Sequence, residues 1–210
     1  MIPPRRDVEY GRFRPVFRPW ANFPGGPVSF QSGADDDLDC VERCLRGDTA
    51  AFRPLVERYQ RLLFTVALRM LGDREDAADA AQTAFVRAYL KLQTFDRRHK
   101  FFSWLYRILV NECLNVRRRP GRVETCDAVL VARDDPAKGV EQAELRQAVQ
   151  AALLQLPVAQ REAVVLRHYA GFSYREMAGM LHVPEKTIKS RLYAARQRLG
   201  ELLLGWGERP

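Results

Sequence analysis

No apolar run in the sequence approaches the ~20 residues that a membrane-spanning helix needs, so no membrane insertion is expected. Cysteine and histidine are scarce, four and three in 210 residues, and scattered, which excludes a disulfide scaffold. Strict apolar–polar alternation is missing, so strands are not expected. The arginines near the start are followed by Pro and Gly rather than an apolar stretch. No secretory signal is read there, and the cytoplasm is the expected compartment. His99, His168 and His182 share no spacing with a nucleophile. No catalytic constellation, no metal site and no cofactor are expected, and so no enzyme.

Hydrophobic residues at 47% and charged residues at 29% describe an ordinary globular chain. Its net charge of +8 is unevenly placed. Residues 91–122 carry nine basic and two acidic residues, and residues 161–198 eight and three. Between them, residues 123–144 carry two basic and six acidic. Two basic blocks around an acidic stretch point to two contacts with a polyanion, or else to solvated helix faces.

The organisation is all-α. Residues 1–34, rich in Pro, Gly and Arg, read as a disordered basic tail. A helical domain is expected over 35–119, a Pro/Gly-containing acidic linker over 120–140, and a second helical domain over 141–210. Asp48 is placed to cap a helix burying Phe52, Leu55, Val56, Tyr59, Leu62, Leu63 and Val66. Pro54 demands a late start or a kink there, and Gly72 suits the left-handed position after it. Asp73 caps the next helix, which runs to about Leu92, with Asp76 as a weak capping-box partner. Another helix is expected over about 101–118. Pro157 opens one ending near Gly171.

Ser173 and Glu176 form a capping-box pair, which starts a short helix with Met177, Ala178 and Leu181 inward. The turn His182-Val183-Pro184 leads to a longer helix with an inward stripe of Ile188, Leu192, Ala195, Leu199 and Leu202. Together these make a helix-turn-helix. The outward face of the second helix carries Lys186, Lys189, Ser190, Tyr193 and Gln197 beside Thr187. Cations for phosphate and polar groups for base edges suit a major groove, although a plain packing helix with a solvated face has the same stripe.

The helix at 101–118 has a buried stripe of Phe102, Leu105, Leu109, Cys113 and Val116. Its other face reads Trp104, Arg107, Asn111, Asn115 and Arg118. A ring and amides interleaved with cations suit unpaired bases, where rings stack and amides read exposed edges. The bland alternative is a Trp in the core and a basic helix end. Cys40 and Cys44, four apart, face the same way on their helix. They read as small buried residues rather than metal ligands, since a structural zinc wants four.

Residues 52–119 resemble region 2 of the extracytoplasmic function (ECF) sigma factors, above all in RMLGDREDAADAAQTAFVRAY (69–89) and FFSWLYRILVNECLNVRRR (101–119). Residues 156–203 resemble region 4, through LPVAQREAVVLRHYAGFSYREMAGMLHVPEKTIKSRLYAARQRL (156–199). The resemblance implies a sigma factor without covalent chemistry. Its partners would be core RNA polymerase, through the β′ clamp helices and the β flap, promoter DNA, and, as often in that family, an anti-sigma factor. It implies that Asp76, Asp79, Gln82 and Phe85 lie on the polymerase-binding helix. The resemblance also puts Asn111 at a flipped −10 base, with Trp104 and Arg107 nearby and Asn115 and Arg118 on the same face. The −35 contacts would come from Lys189, Ser190 and Tyr193, flanked by Lys186 and Thr187. Residues 81, 84, 85 and 88 also form an apolar stripe, which leaves Phe85 a core reading. The family's usual Gly in the turn is His182 here. A stand-alone helix-turn-helix regulator with an N-terminal partner or ligand module is the alternative.

Overall fold

The computed structural model describes residues 34–118 and 140–204, and every regular element among them is helical. Eight α-helices follow in order: α1 Ala34–Leu45, α2 Arg53–Leu71, α3 Arg74–Leu90, α4 Phe101–Arg117, α5 Val140–Gln155, α6 Val158–Val164, α7 Tyr174–Leu181 and α8 Glu185–Leu203. The expected tail and linker lie outside the described residues, except Ala34 and Val140. Both are helical, so the helices beside them start one residue before the expected domain boundaries.

Local chemistry sets the boundaries. Asp48 Oδ1 accepts the Ala50 N–H at 3.1 Å, capping a 3₁₀ turn, Thr49–Phe52, rather than α2 itself. Pro54 falls in the first turn of α2, where its missing N–H costs nothing, so the late start replaces a kink. Gly72 ends α2 at φ 82° and donates its N–H to Leu68 O at 2.8 Å. A Cβ there would come within 2.5 Å of Leu154 Cδ1, the movable end of that side chain, so it is the left-handed backbone that calls for glycine. Asp73 Oδ1 accepts the Asp76 N–H at 2.8 Å and starts α3, which ends at Leu90, two residues short of the expectation.

α2, α3 and α4 pack against one another, and α3 does so through a stripe of small residues. Ala77, Ala80, Ala81, Ala84 and Ala88 are buried, with Phe85 among them at 3% exposure. Small residues let helices approach closely, and Phe85 fills the gap that remains. The expected polymerase-facing role of Phe85 is therefore corrected: its ring belongs to the core. The whole expected stripe of α4 is buried, as are Ile188, Leu192 and Ala195 of α8, with Leu199 and Leu202 partly so.

The two halves meet in one apolar core. Every residue from Leu62 to Leu71 is buried, so the C-terminal half of α2 has no solvent face. α3 and α4 cover one side of it; α5 and the end of α6 cover the other. At roughly 1.5–3 kcal/mol for each fully buried large apolar side chain, this second layer contributes substantially. The two helical domains expected from the sequence thus also pack directly against each other.

Candidate nucleic-acid interface

Three polar faces remain on this frame. On α3, Asp79 is exposed and Asp76 and Gln82 are half-buried. Val86 and Leu90 continue the Asp79–Thr83 line at helical spacing and are 40% and 60% exposed. Residues 79, 83, 86 and 90 thus form one solvent-facing stripe, acidic and polar at one end and apolar at the other. Sequence reading missed Val86 and Leu90, although their spacing from Asp79 carried the signal.

On α4, Asn111, Asn115 and Arg118 are exposed, while Trp104 and Arg107 are half-buried. The Trp104 ring packs at 5.4 Å from Phe95 and 5.8 Å from Phe101, ring centre to ring centre. Two aromatic neighbours restrain the ring, which stays half-buried. Arg107 Nη1 lies 2.6 Å from His182 Nε2, in the turn of the helix-turn-helix. The two amides therefore stand free at the C-terminal end of the face, and the guanidinium at its N-terminal end is engaged across the halves.

The loop before α4 is strongly basic. Arg98 pairs with Asp96, whose carboxylate also accepts the Arg98 backbone N–H, and these contacts hold the carboxyl well below its usual range. Arg97 pairs with Glu42 at 3.2 Å. Lys100 Nζ reaches Glu176 of α7 at 3.2 Å. A cleft between the halves is lined by Arg98, Lys100, Phe102, Arg107, Phe172 and His182.

The third face lies on α8. Ser173 and Glu176 make the reciprocal capping box: Ser173 N–H donates to Glu176 Oε2 at 3.0 Å, and Glu176 N–H to Ser173 Oγ at 3.3 Å. The Ser173 amide, chiefly, holds the Glu176 carboxyl below its ordinary value. His182 takes the left-handed conformation at φ 51°, ψ 45°, the one non-glycine residue with positive φ among those described. Pro184 is the N-cap of α8. Lys186, Lys189, Ser190 and Gln197 are exposed, Thr187 is half-buried, and Tyr193 is 64% exposed. Tyr193 Oη accepts from Gln197 Nε2 at 2.9 Å, which steers the ring along the helix. Ser190 Oγ donates back to Thr187 O at 2.9 Å, leaving its lone pairs outward. The Tyr193 ring lies largely in solvent.

Among the described residues the cysteines form no shared site. Cys40 and Cys113 are buried and Cys44 half-buried. Burial first, and neighbouring charge second, raises the Cys44 thiol to about 11. Protonated thiols are poor ligands and nucleophiles. Among the described residues no cluster of three or more His, Cys, Asp or Glu could hold a metal ion. No described helix is long and apolar enough to cross a membrane. Cys126 lies outside the described residues.

Comparison with known proteins places these faces in context. The family model Sigma-70 region 2 matches residues 55–123, and Sigma-70 region 4 matches 146–199. The chain is 35% identical over 182 residues to the RNA polymerase sigma-H factor of Pseudomonas aeruginosa, covering 80% of this chain and 94% of that protein. It is 40% identical over 167 residues to the ECF RNA polymerase sigma factor SigM of Mycobacterium tuberculosis, covering 80% and 84%. Among solved structures, CnrH in complex with the cytosolic domain of CnrY aligns with a TM-score of 0.64 at 28% identity, over 81% of this chain and 99% of that one. The sigma factor RpoE of Bartonella quintana, in complex with the anti-sigma factor NepR, aligns with a TM-score of 0.56 at 31% identity, over 72% and 96%.

Proposed function

This chain belongs to the ECF sigma factors of the sigma-70 family, which direct promoter-specific transcription and are not enzymes, and we propose that it works through the three faces described above. The α3 stripe binds core RNA polymerase at the β′ clamp helices, through Asp79 and Gln82 with Asp76 beside them. Thr83, Val86 and Leu90 take the place in that surface first given to Phe85. Apolar groups with a polar rim suit a protein partner. The α4 face captures unpaired −10 bases, with Asn111 and Asn115 reading edges, Trp104 stacking, and Arg107 and Arg118 holding phosphate. The α8 face reads the −35 duplex through Lys189, Ser190 and Tyr193, with Lys186 and Thr187 at its start.

The observation that carries this reading is the α8 face. Polar and cationic side chains stand exposed on one side, behind a capped helix and a left-handed turn, while Ile188, Leu192 and Ala195 anchor the other side. A stand-alone regulator would leave the region 2 match unexplained, so that alternative falls. The region 4 domain further engages the β flap. The protein acts in the cytoplasm, where core polymerase is. An anti-sigma factor regulates it in this reading, which is supported by a solved relative captured with one.

The test is reconstitution of the full chain with core polymerase and run-off transcription on a library of promoters. The expected result is transcription from a restricted set with shared −35 and −10 elements. Binding to duplex DNA without any dependence on core polymerase would refute the reading.

A further inference from the structure

The reading face of α8 carries two hydroxyls whose bonds within the helix run in opposite senses. Ser190 Oγ donates its proton to Thr187 O at 2.9 Å, so what it offers outward is lone pairs. Tyr193 Oη accepts from Gln197 Nε2 at 2.9 Å, so what it keeps for a partner is its proton. A hydroxyl has one proton and two lone pairs, and a bond that uses the proton leaves acceptors, while a bond that uses a lone pair leaves the donor.

Their placement lets both be used. Ser190, Tyr193 and Gln197 stand at i, i+3 and i+7, all exposed, while Ile188, Leu192 and Ala195 are buried on the opposite side. At 1.5 Å per residue Gln197 lies about 6 Å further along the axis than Tyr193, one turn beyond it. Its amide thus bonds the phenol from behind and leaves Ser190 and the front of the ring clear. Base edges in the major groove differ in the same respect. G offers acceptors at O6 and N7 and T offers one at O4, whereas C offers the N4 amino donor and A carries a donor at N6 beside its N7. A phenol without the Gln197 bond turns its proton either way and separates these edges less well.

We propose that Gln197 is a positioning residue that sets the polarity of −35 readout. It holds the Tyr193 hydroxyl as a donor toward G or T, next to Ser190, which acts as an acceptor toward C or A. This rests on the assignment of the α8 face above. Gln197 acts through Tyr193 and not by its own contact with a base.

The test uses holoenzyme assembled from the full chain and core polymerase, on a library of −35 sequences. Tyr193→Phe removes the hydroxyl alone, and the position whose preference it abolishes is the one that hydroxyl reads. There the parent is expected to favour G or T over C by about two- to tenfold, the range of one net hydrogen bond. Gln197→Glu replaces the donating amide with a carboxylate, which accepts the phenolic proton and turns lone pairs outward, so the preference should swing toward C. Gln197→Lys can still donate and should keep the parent's preference. The position that Ser190→Ala relaxes should be the same in parent, Glu and Lys proteins. The added carboxylate weakens binding to every sequence alike, so the preference profile and not the affinity carries the result. A parent that favours C at the Tyr193 position, a Glu profile equal to the parent's, or a swing in the Lys variant in place of the Glu variant would each overturn the inference. So would a Gln197→Glu effect that persists in a Tyr193→Phe background, since Gln197 would then read a base itself. An unchanged profile for Tyr193→Phe would overturn it together with the place of Tyr193 on the reading face.

Discussion

Asp37 of α1 accepts a hydrogen bond from the Tyr59 hydroxyl of α2 and pairs with Arg58 one residue before it. The carboxylate is 3% exposed and Tyr59 1%, so this contact ties the first helix to the bundle from inside. Burial, with Asp37 accepting its proton, pushes the Tyr59 hydroxyl far above its usual value. Asp37→Ala leaves that hydroxyl without this acceptor in the core, and a lost buried acceptor costs about 1–3 kcal/mol. Thermal unfolding should show that loss, while Asp39→Ala, on the exposed side of α1, should leave the midpoint nearly unchanged.

The polymerase face predicts a separation between neighbours on α3. Asp79→Ala and Leu90→Ser should each weaken binding to core polymerase with helicity unaltered, since both side chains are exposed. Phe85→Ala should instead destabilise the protein by about 3–5 kcal/mol, the cost of removing a buried aromatic ring. Circular dichroism and core-binding titrations distinguish the two. Normal core affinity in both surface variants would dismiss the stripe.

Asn111→Ala should slow promoter opening by about 1–3 kcal/mol of lost base contact and leave closed-complex binding intact. A fluorescent base analogue in the −10 element reports opening directly. Unchanged opening would remove this amide from the reading face.

On α8 the two kinds of contact can be told apart. Ser190→Ala and Tyr193→Ala should relax preference at single −35 positions, while Lys186→Ala should lower affinity evenly and flatten the salt dependence by about one unit of slope. A −35 sequence library measured at two salt concentrations with the full protein gives both quantities. Identical preference profiles for the Ser190 and Tyr193 variants and the parent would count against the assignment.

Glu162 supplies a pH dependence. Burial raises its carboxyl above the ordinary value, with Arg191 opposing. Its folded form holds the proton more tightly than the unfolded chain does. Stability from this group is therefore complete below the ordinary glutamate value and is lost as pH rises through the folded value. Glu162→Gln should melt at a higher temperature than the parent at pH 7, with the difference closing on acidification towards pH 4. A constant difference across that range would show that the carboxyl does not titrate as described.

Much of this was legible because local rules governed it. The Ser173–Glu176 box, the Gly72 terminus and the buried stripes of α4 and α8 follow from spacing alone, and the fold carries them. The fusion of the two halves did not follow. An amphipathic helix announces one buried face, but α2 from Leu62 to Leu71 is covered all round, and the second cover arrives from residues more than 80 positions away. Arg69 interrupts that apolar run with a cation, and its partner Gln150 carries no pattern of its own. Phe85 illustrates the opposite difficulty. It sat at the intersection of two stripes, one polar and one apolar, and only the close approach of α3 to its neighbours decides between them.

The widened turn at Val165–Tyr169, where α6 continues as π-helix, bears on where the chain can vary in length. Such a turn holds one residue more than an α-turn would. The extra residue is absorbed within that one turn, so a deletion from 165–168 that restores α winding leaves the chain beyond it nearly in phase. The same deletion in α-wound α8 would rotate everything beyond it by about 100°. Tyr169 over Arg69, and Phe172 stacked on Phe102 at 5.2 Å, therefore tolerate the loss of a residue here better than the contacts of α8 would. Sequences sharing this interface should vary in length by one residue between Arg161 and Ser173 sooner than within α8.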